Sequence, residues 1–397
     1  MGRPMSAQQL RIRTGKFYDG SLEPPKTNVI ITIEGKNVAS IEPADGKKAD
    51  REAAAVTPGM INAHAHLEFN GEPDVFGIYV IKTPEARLLA CVENARKALH
   101  AGVTAMRDLG SSGRNNIEVR NAIRHGQIEG PTVVAAGKPI VMTGGHGWFA
   151  GAREADGPWD VRLAVREQLK AGADCIKMMA TGGVLTPGAV PGNDQLSEEE
   201  MRAGVLEAKT HGMRVTTHAI GTNGIKNAIR AGVDSIEHGM LIDDEGIALM
   251  LEHGTVFVAT LNSVTAIVEN GEEHGIPKYA VDKARAIFEQ MTGNYRRARK
   301  AGVKFAGGSD SGTPFNYHEG YAREIELMTQ VLEMTPREAL HAATQVSGEL
   351  LNIKEGHLVA GALADLLLLD DDLEENTLAL KRPVAVVKAG RVVFQRV

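Results

Sequence analysis

Pro58-Gly59-Met60-Ile61-Asn62-Ala63-His64-Ala65-His66 is a mostly apolar run that ends on two histidines one residue apart. In an extended strand, residues i and i+2 point to the same face, so His64 and His66 leave the strand's C-terminal end together. Two imidazoles on one strand can grip one ion. Four further segments repeat the plan, each a short run closing on a polar residue of ligand type: Asp174-Cys175-Ile176-Lys177, Val215-Thr216-Thr217-His218, Ser235-Ile236-Glu237-His238-Gly239 and Phe305-Ala306-Gly307-Gly308-Ser309-Asp310. One such segment means little; five in order describe a site built from strand ends.

From residue 56 onward, β-branched runs alternate with Ala/Glu/Arg-rich stretches of helical periodicity, the pattern of a parallel sheet. Eight strands are expected, at 56–66, 102–108, 131–136, 174–180, 213–218, 233–238, 254–260 and 303–309. Eight closes a (β/α)8 barrel, whose catalytic groups gather at the C-terminal mouth. Ser197 followed by Glu200 forms an expected capping box. Helices end repeatedly on Ala-Gly-Val or Ala-Gly-Ala at 101–103, 171–173, 231–233 and 301–303, where glycine supplies a left-handed cap. Both chain ends read instead as hairpin β-structure. The expected architecture is therefore α/β: a barrel over 56–354 beside a small composite β-sandwich from 1–55 and 355–397.

Composition narrows the function. The chain has 397 residues, 43% hydrophobic and 24% charged, which supports a large core and excludes disorder as the main state. Lys+Arg 44 against Asp+Glu 50 gives a formal net charge of -6 with no basic run, so nucleic acid is not an expected partner. No stretch has the apolar length of a membrane span, and residues 1–10 have no leader-like core, so a cytoplasmic protein is expected. Cys91 and Cys175 stand far apart, offering neither a disulfide framework nor a thiolate metal site.

Imidazole and carboxylate suit zinc or a similar divalent ion, and Lys177 is the odd member of the set. A protonated lysine would repel the ions. A deprotonated one that captures carbon dioxide becomes a carbamate, whose two oxygens could bridge two metals.

The arrangement resembles the amidohydrolase superfamily in its binuclear subtype: His-x-His on strand 1, carboxylated lysine on strand 4, histidines on strands 5 and 6, aspartate on strand 8. The likeness covers essentially the whole chain. It implies that His64, His66 and Asp310 hold one metal, that His218 and His238 hold the other, and that carbamylated Lys177 and a hydroxide bridge them. In that scheme the hydroxide attacks the substrate carbonyl, and Asp310 takes the water's proton and returns it to the leaving group. Thr143-Gly144-Gly145-His146-Gly147 and Met178-Met179-Ala180-Thr181-Gly182-Gly183-Val184 resemble the imidazolonepropionase-like branch containing Xaa-Pro dipeptidases and metal-dependent carboxypeptidases. This likeness makes His146 a catalytic and substrate-binding candidate. Ile220, two positions after His218, departs from the aromatic or polar residue often found there.

Hydrolysis of an amide bond in a dipeptide or N-acyl amino acid is the leading expectation, by an enzyme of two divalent ions that forms a homo-oligomer. Hydrolysis of a urea, carbamate or organophosphate-type ester is the alternative. Imidazolone hydrolysis or deamination fits less well, because Gly221 stands where a deaminase places glutamate and Lys177 is present. A non-catalytic barrel is disfavoured by the complete ligand set. Arg114, Arg153, Lys82 and Tyr317 are candidates to pair a substrate carboxylate, with solvated positions as the alternative. His318 could reach the mouth, and the glycine-rich stretch 139–158 is read as a lid. His100, His125, His211 and His253 suit helix ends, and Glu237 is expected to face away from His238, outside the site.

Overall fold

A computed structural model describes residues 9–396. Residues 1–8, on which the absence of a leader was mainly read, lie outside the described residues. All eight expected strands are present: Met60–Ala65, Val103–Asp108, Thr132–Ala135, Cys175–Met179, Arg214–Ala219, Ser235–His238, Val256–Val258 and Phe305–Ala306. Neighbours pair in parallel within a group of three and a group of five. Backbone hydrogen bonds close both seams between the groups. Asp174 donates to the Ala135 carbonyl at 2.8 Å, and Met178 pairs with Ile140 just beyond the third strand. At the other seam Ala63 donates to Gly307, Asp310 to His64 and His66 to Ser311, at 2.8, 2.8 and 2.9 Å. The result is a closed (β/α)8 barrel.

Local signals in the sequence do what their chemistry requires. Ser197 and Glu200 cap the helix Glu198–Thr210 reciprocally. Gly102, Gly172, Gly232 and Gly302 all have φ between 92° and 97°, the left-handed turn between helix and strand that a Cβ would oppose.

The first strand differs from its expected extent. The run from 56 to 66 breaks at Gly59, whose position admits no Cβ: one placed there would stand 2.1 Å from Thr104 Oγ1. Arg51–Pro58 before the break belongs to another sheet, ordered Arg391–Gln395, Ala385–Lys388, Leu366–Leu369, Arg51–Pro58, Gln9–Phe17, Lys26–Glu34 and Asn37–Pro43. Strands from the two chain ends thus share one seven-stranded composite sheet. Side-chain alternation along Leu366–Leu369 joins it to the barrel. Leu366 and Leu368 pack with Ile12, Phe17, Ile31 and Val387 in a small core, while Leu367 and Leu369 enter the main core with Met60 and Val103.

The stretch 139–158 is a built element. Ile140–Val141 pairs with Arg153–Glu154, and a single 3-10 turn spans Trp148–Ala150. No helix among the described residues is long and apolar enough to cross a membrane.

Candidate active site

His64, His66 and Asp310 meet at the barrel's C-terminal mouth. One ligand atom from each lies within 4.8 Å of the others, and Asp310 Oδ1 is 3.4 Å from His64 Nε2 and 3.3 Å from His66 Nε2. Two imidazoles and a carboxylate converging in this way fit a divalent cation. Lys177, 1% exposed, lines the same cavity, as do His218 and His238, whose ring centroids are 4.6 Å apart. The His146 ring stacks on His218 with centroids 4.5 Å apart and planes 30° from parallel. The structure therefore gathers all seven residues singled out by the sequence into one site.

Part of the backbone strain lies here. His238, Thr260 and Asp310 have φ of 70°, 49° and 60°, the left-handed region that non-glycine residues rarely occupy. Surrounding hydrogen bonds hold these conformations. His238 Nδ1 is 2.7 Å from Thr260 Oγ1. Glu324, also buried, accepts from the Leu261 and Asn262 backbone N–H groups at 2.8 and 2.7 Å, fixing the chain just after Thr260. Tyr295 donates from beneath to the His238 carbonyl.

Glu237 corrects the sequence reading. It is fully buried, and its Oε2 stands 2.7 Å from His64 Nδ1, on the side of the ring away from the nitrogen that approaches Asp310. Oε1 accepts from Arg107 at 2.8 Å and from Ser235 Oγ at 2.7 Å. Strict alternation would send residues 237 and 238 to opposite faces. The left-handed turn at His238 breaks the alternation, so both reach the site. Because a carboxylate only accepts, His64 carries its proton on Nδ1 and presents a bare Nε2 towards His66 and Asp310.

Electrostatics favour ligand-ready forms. Burial, reinforced by the Lys177 charge, holds the His64 imidazole well below its usual pKa; burial likewise lowers His218 and His238, and brings His146 to about 3. Asp310 is raised by burial but lowered more by His64, His66 and Lys177, and settles at about 2. Burial brings the Lys177 amine down to about 8 against the opposing pull of Glu237 and Asp310. All three kinds of side chain are thereby moved towards the forms that can bind a cation.

Above the polar floor the wall is apolar: Phe69, Phe76, Tyr79, Ile220, Met240 and Val264. Glu68 also lines the cavity and was not anticipated. It is 1% exposed and accepts from Tyr79, Ser111, Asn115 and the Ser112 backbone at 2.5 to 3.0 Å. Its partners lie 11 to 47 residues away, so no local pattern announced it.

Other candidates lie elsewhere. Arg114 pairs with Glu118, Arg153 with Asp160 and Glu167, and Lys82 with Glu72. Tyr317 is 43% exposed, and none of the four lines the cavity. His318 is buried with Nε2 3.0 Å from the Phe69 carbonyl. His100 and His253 end helices, while His125 and His211 occupy C-cap positions.

Comparison with known proteins gives the site a lineage. The amidohydrolase family profile matches residues 55–393. Ochratoxinase of Aspergillus niger is 31% identical over 95% of this chain and 86% of its own length. A crystal structure of a Xaa-Pro dipeptidase with methionine bound in its active site superposes with a TM-score of 0.89 at 32% identity, covering 97% of this chain and 99% of that one. A prolidase complexed with N-methylphosphonate-L-proline gives the same TM-score at 30% identity, covering 98% and 100%. More distantly, an imidazolonepropionase of Anaeromyxobacter is 26% identical over 92% of this chain and 90% of its own length. The chain belongs to the amidohydrolase family, in its imidazolonepropionase-like branch with similarity to Xaa-Pro dipeptidases, and is a hydrolytic enzyme acting on carbon–nitrogen bonds.

Proposed function

We propose that this enzyme hydrolyses the amide bond of a small substrate with an apolar side group, such as a dipeptide or an N-acyl amino acid. The observation that carries the reading is a convergent His64–His66–Asp310 set on the floor of a cavity with aromatic and aliphatic walls. The similar dipeptidase with bound methionine and the similar prolidase with a proline derivative point the same way.

In this reading His64, His66 and Asp310 would hold one divalent ion, zinc being the expected metal, and His218 and His238 a second, with carbamylated Lys177 shared between them. Bound there, such ions supply Lewis acidity, lowering the pKa of water and polarising a carbonyl. Burial disfavours the Lys177 ammonium, which supports the carbamate. Glu237 orients His64, and Thr260 orients His238. Asp310 receives a proton on a carboxylate oxygen as water attacks and returns it to the leaving nitrogen. His146 contacts the substrate, while Ile220 and its apolar neighbours exclude water from the side group. The chemistry falls to residues 56–354, with 1–55 and 355–397 as a supporting composite unit.

A second reading, hydrolysis of an uncharged carbamate or urea, is favoured by one observation: among the described residues no arginine lines the cavity, and the lysine that does is the buried Lys177. A panel of dipeptides, N-acyl amino acids, aryl carbamates and phosphotriesters, assayed with zinc-loaded enzyme, separates the two. Turnover of apolar dipeptides or N-acyl amino acids is the expected result. Turnover confined to carbamates or phosphotriesters overturns the peptide-like reading.

A further inference from the structure

His146, in the turn before Trp148–Ala150, is held from another loop. The backbone N–H of His146 donates to Gln195 Oε1 at 3.0 Å, and ring Nδ1 lies 2.7 Å from Thr186 Oγ1. Thr186 belongs to the loop after the fourth barrel strand, 40 residues downstream, and is 2% exposed. Its hydroxyl oxygen also accepts from the Gly147 backbone N–H at 3.0 Å. Together these two contacts favour one direction for the shared proton. A backbone N–H can only donate, so the Thr186 oxygen is an acceptor towards Gly147. The hydroxyl hydrogen then needs an acceptor of its own, and among the described residues the partner within reach is His146 Nδ1.

We infer that Thr186 fixes His146 in the tautomer that is bare at Nδ1 and protonated at Nε2, making it a neutral hydrogen-bond donor to an acceptor oxygen of the substrate. Thr186 is thus a positioning residue, and the inference rests on the reading of His146 as a substrate contact. Nε2 has no partner among the described residues, and His146 lines the cavity. A donor at that edge selects a carbonyl, carboxylate or carbamate oxygen and turns away an amine or another donor. It also removes His146 from general-base duty, leaving proton transfer to Asp310.

The loop is anchored well enough to hold this setting. Tyr279 donates to the Leu185 carbonyl at 2.9 Å, and Lys283 Nζ to the Thr186 carbonyl at 2.9 Å. Both extend from the helix Lys278–Lys300, which also carries Tyr295 under His238. One helix therefore braces the strand-6 ligand and the loop that orients His146. The ring also rests against Gly183, where a Cβ would come within 2.3 Å of His146 Cε1.

The test is nitrogen-detected histidine NMR on the full-length, zinc-loaded protein at pH 8, with His146 assigned by its loss in His146→Gln. The expected spectrum shows an unprotonated Nδ1 and a protonated Nε2. Thr186→Ser, which keeps the hydroxyl, retains that signature, with kcat within about twofold of wild type on the best substrate of the panel. Thr186→Val removes it and lowers kcat roughly 10–100-fold, as loss of an orienting partner does at other sites. A protonated Nδ1 in the wild type overturns the inference, as does Thr186→Val with tautomer and kcat unchanged. Because the wild-type tautomer is read without turnover, it stands or falls separately from the amide reading, which the substrate panel decides.

Discussion

Glu237 Oε2 sits 2.7 Å from His64 Nδ1 while its other oxygen accepts from Arg107 at 2.8 Å, so one fully buried carboxylate orients a candidate metal ligand and balances a buried guanidinium. Both roles depend on its charge.

Glu237→Gln therefore weakens two things at once. The Arg107 charge loses its partner, and breaking a buried pair destabilises by roughly 3–5 kcal/mol. His64 loses a strong acceptor for its Nδ1 proton, and affinity for the first metal falls about 10–100-fold. Urea unfolding and a competitive chelator titration measure the two separately. Wild-type metal affinity in the variant would sink the orienting role.

Asp310→Asn removes the proton carrier together with the charge of a first-metal ligand, so metal content is measured beside activity. Asparagine tolerates the φ of 60° at this position, so the fold is retained. The amide takes no proton from water, and kcat drops by about 10²–10⁴. Circular dichroism and steady-state kinetics check the pair of outcomes; a variant retaining wild-type kcat assigns the proton transfer elsewhere.

Gly183→Ala probes the seating of His146. The added methyl must displace a ring that lines the cavity and stacks on His218, so the shift is felt at both histidines. A misplacement on the order of 1 Å costs about 10² in kcat/KM. The melting temperature should hardly change. Unchanged kcat/KM would remove His146 from the substrate's path.

Acid stability should depend on Glu207, far from the site. Arg166 and Arg162 hydrogen-bond its carboxylate at 2.6 and 2.9 Å and hold its pKa down at about 2. Since the folded value lies below the ordinary one of about 4.3, this contribution is whole above that pH and fades as pH falls towards 2. Glu207→Gln should lower the urea midpoint at pH 7 and flatten its decline between pH 5 and 3. Parallel declines for the two proteins would contradict the assignment.

How much of this was legible in the sequence follows from which interactions are local. Strand ends bearing His64, Lys177, His218 and Asp310 could be found because each closes an apolar run before a turn, and the left-handed glycines marked where helices stop. The break at Gly59 was hidden because Ala54-Ala55-Val56 and Met60-Ile61 are apolar on both sides of it; its cause is the approach of Thr104. Glu237 was misread because two-residue alternation fails at a positive φ, and nothing in Ile236-Glu237-His238 announces one. Glu68 and Thr186 owe their roles to partners on other barrel loops. Such long-range pairings leave no spacing to read.

Metal stoichiometry of wild type beside Lys177→Ala, by elemental analysis after loading and gel filtration, tests the central claim most directly. The account predicts two divalent ions per wild-type chain and at most one in the variant, with activity lost. A wild type that holds none, or a Lys177→Ala protein that keeps two ions and full activity, would contradict it.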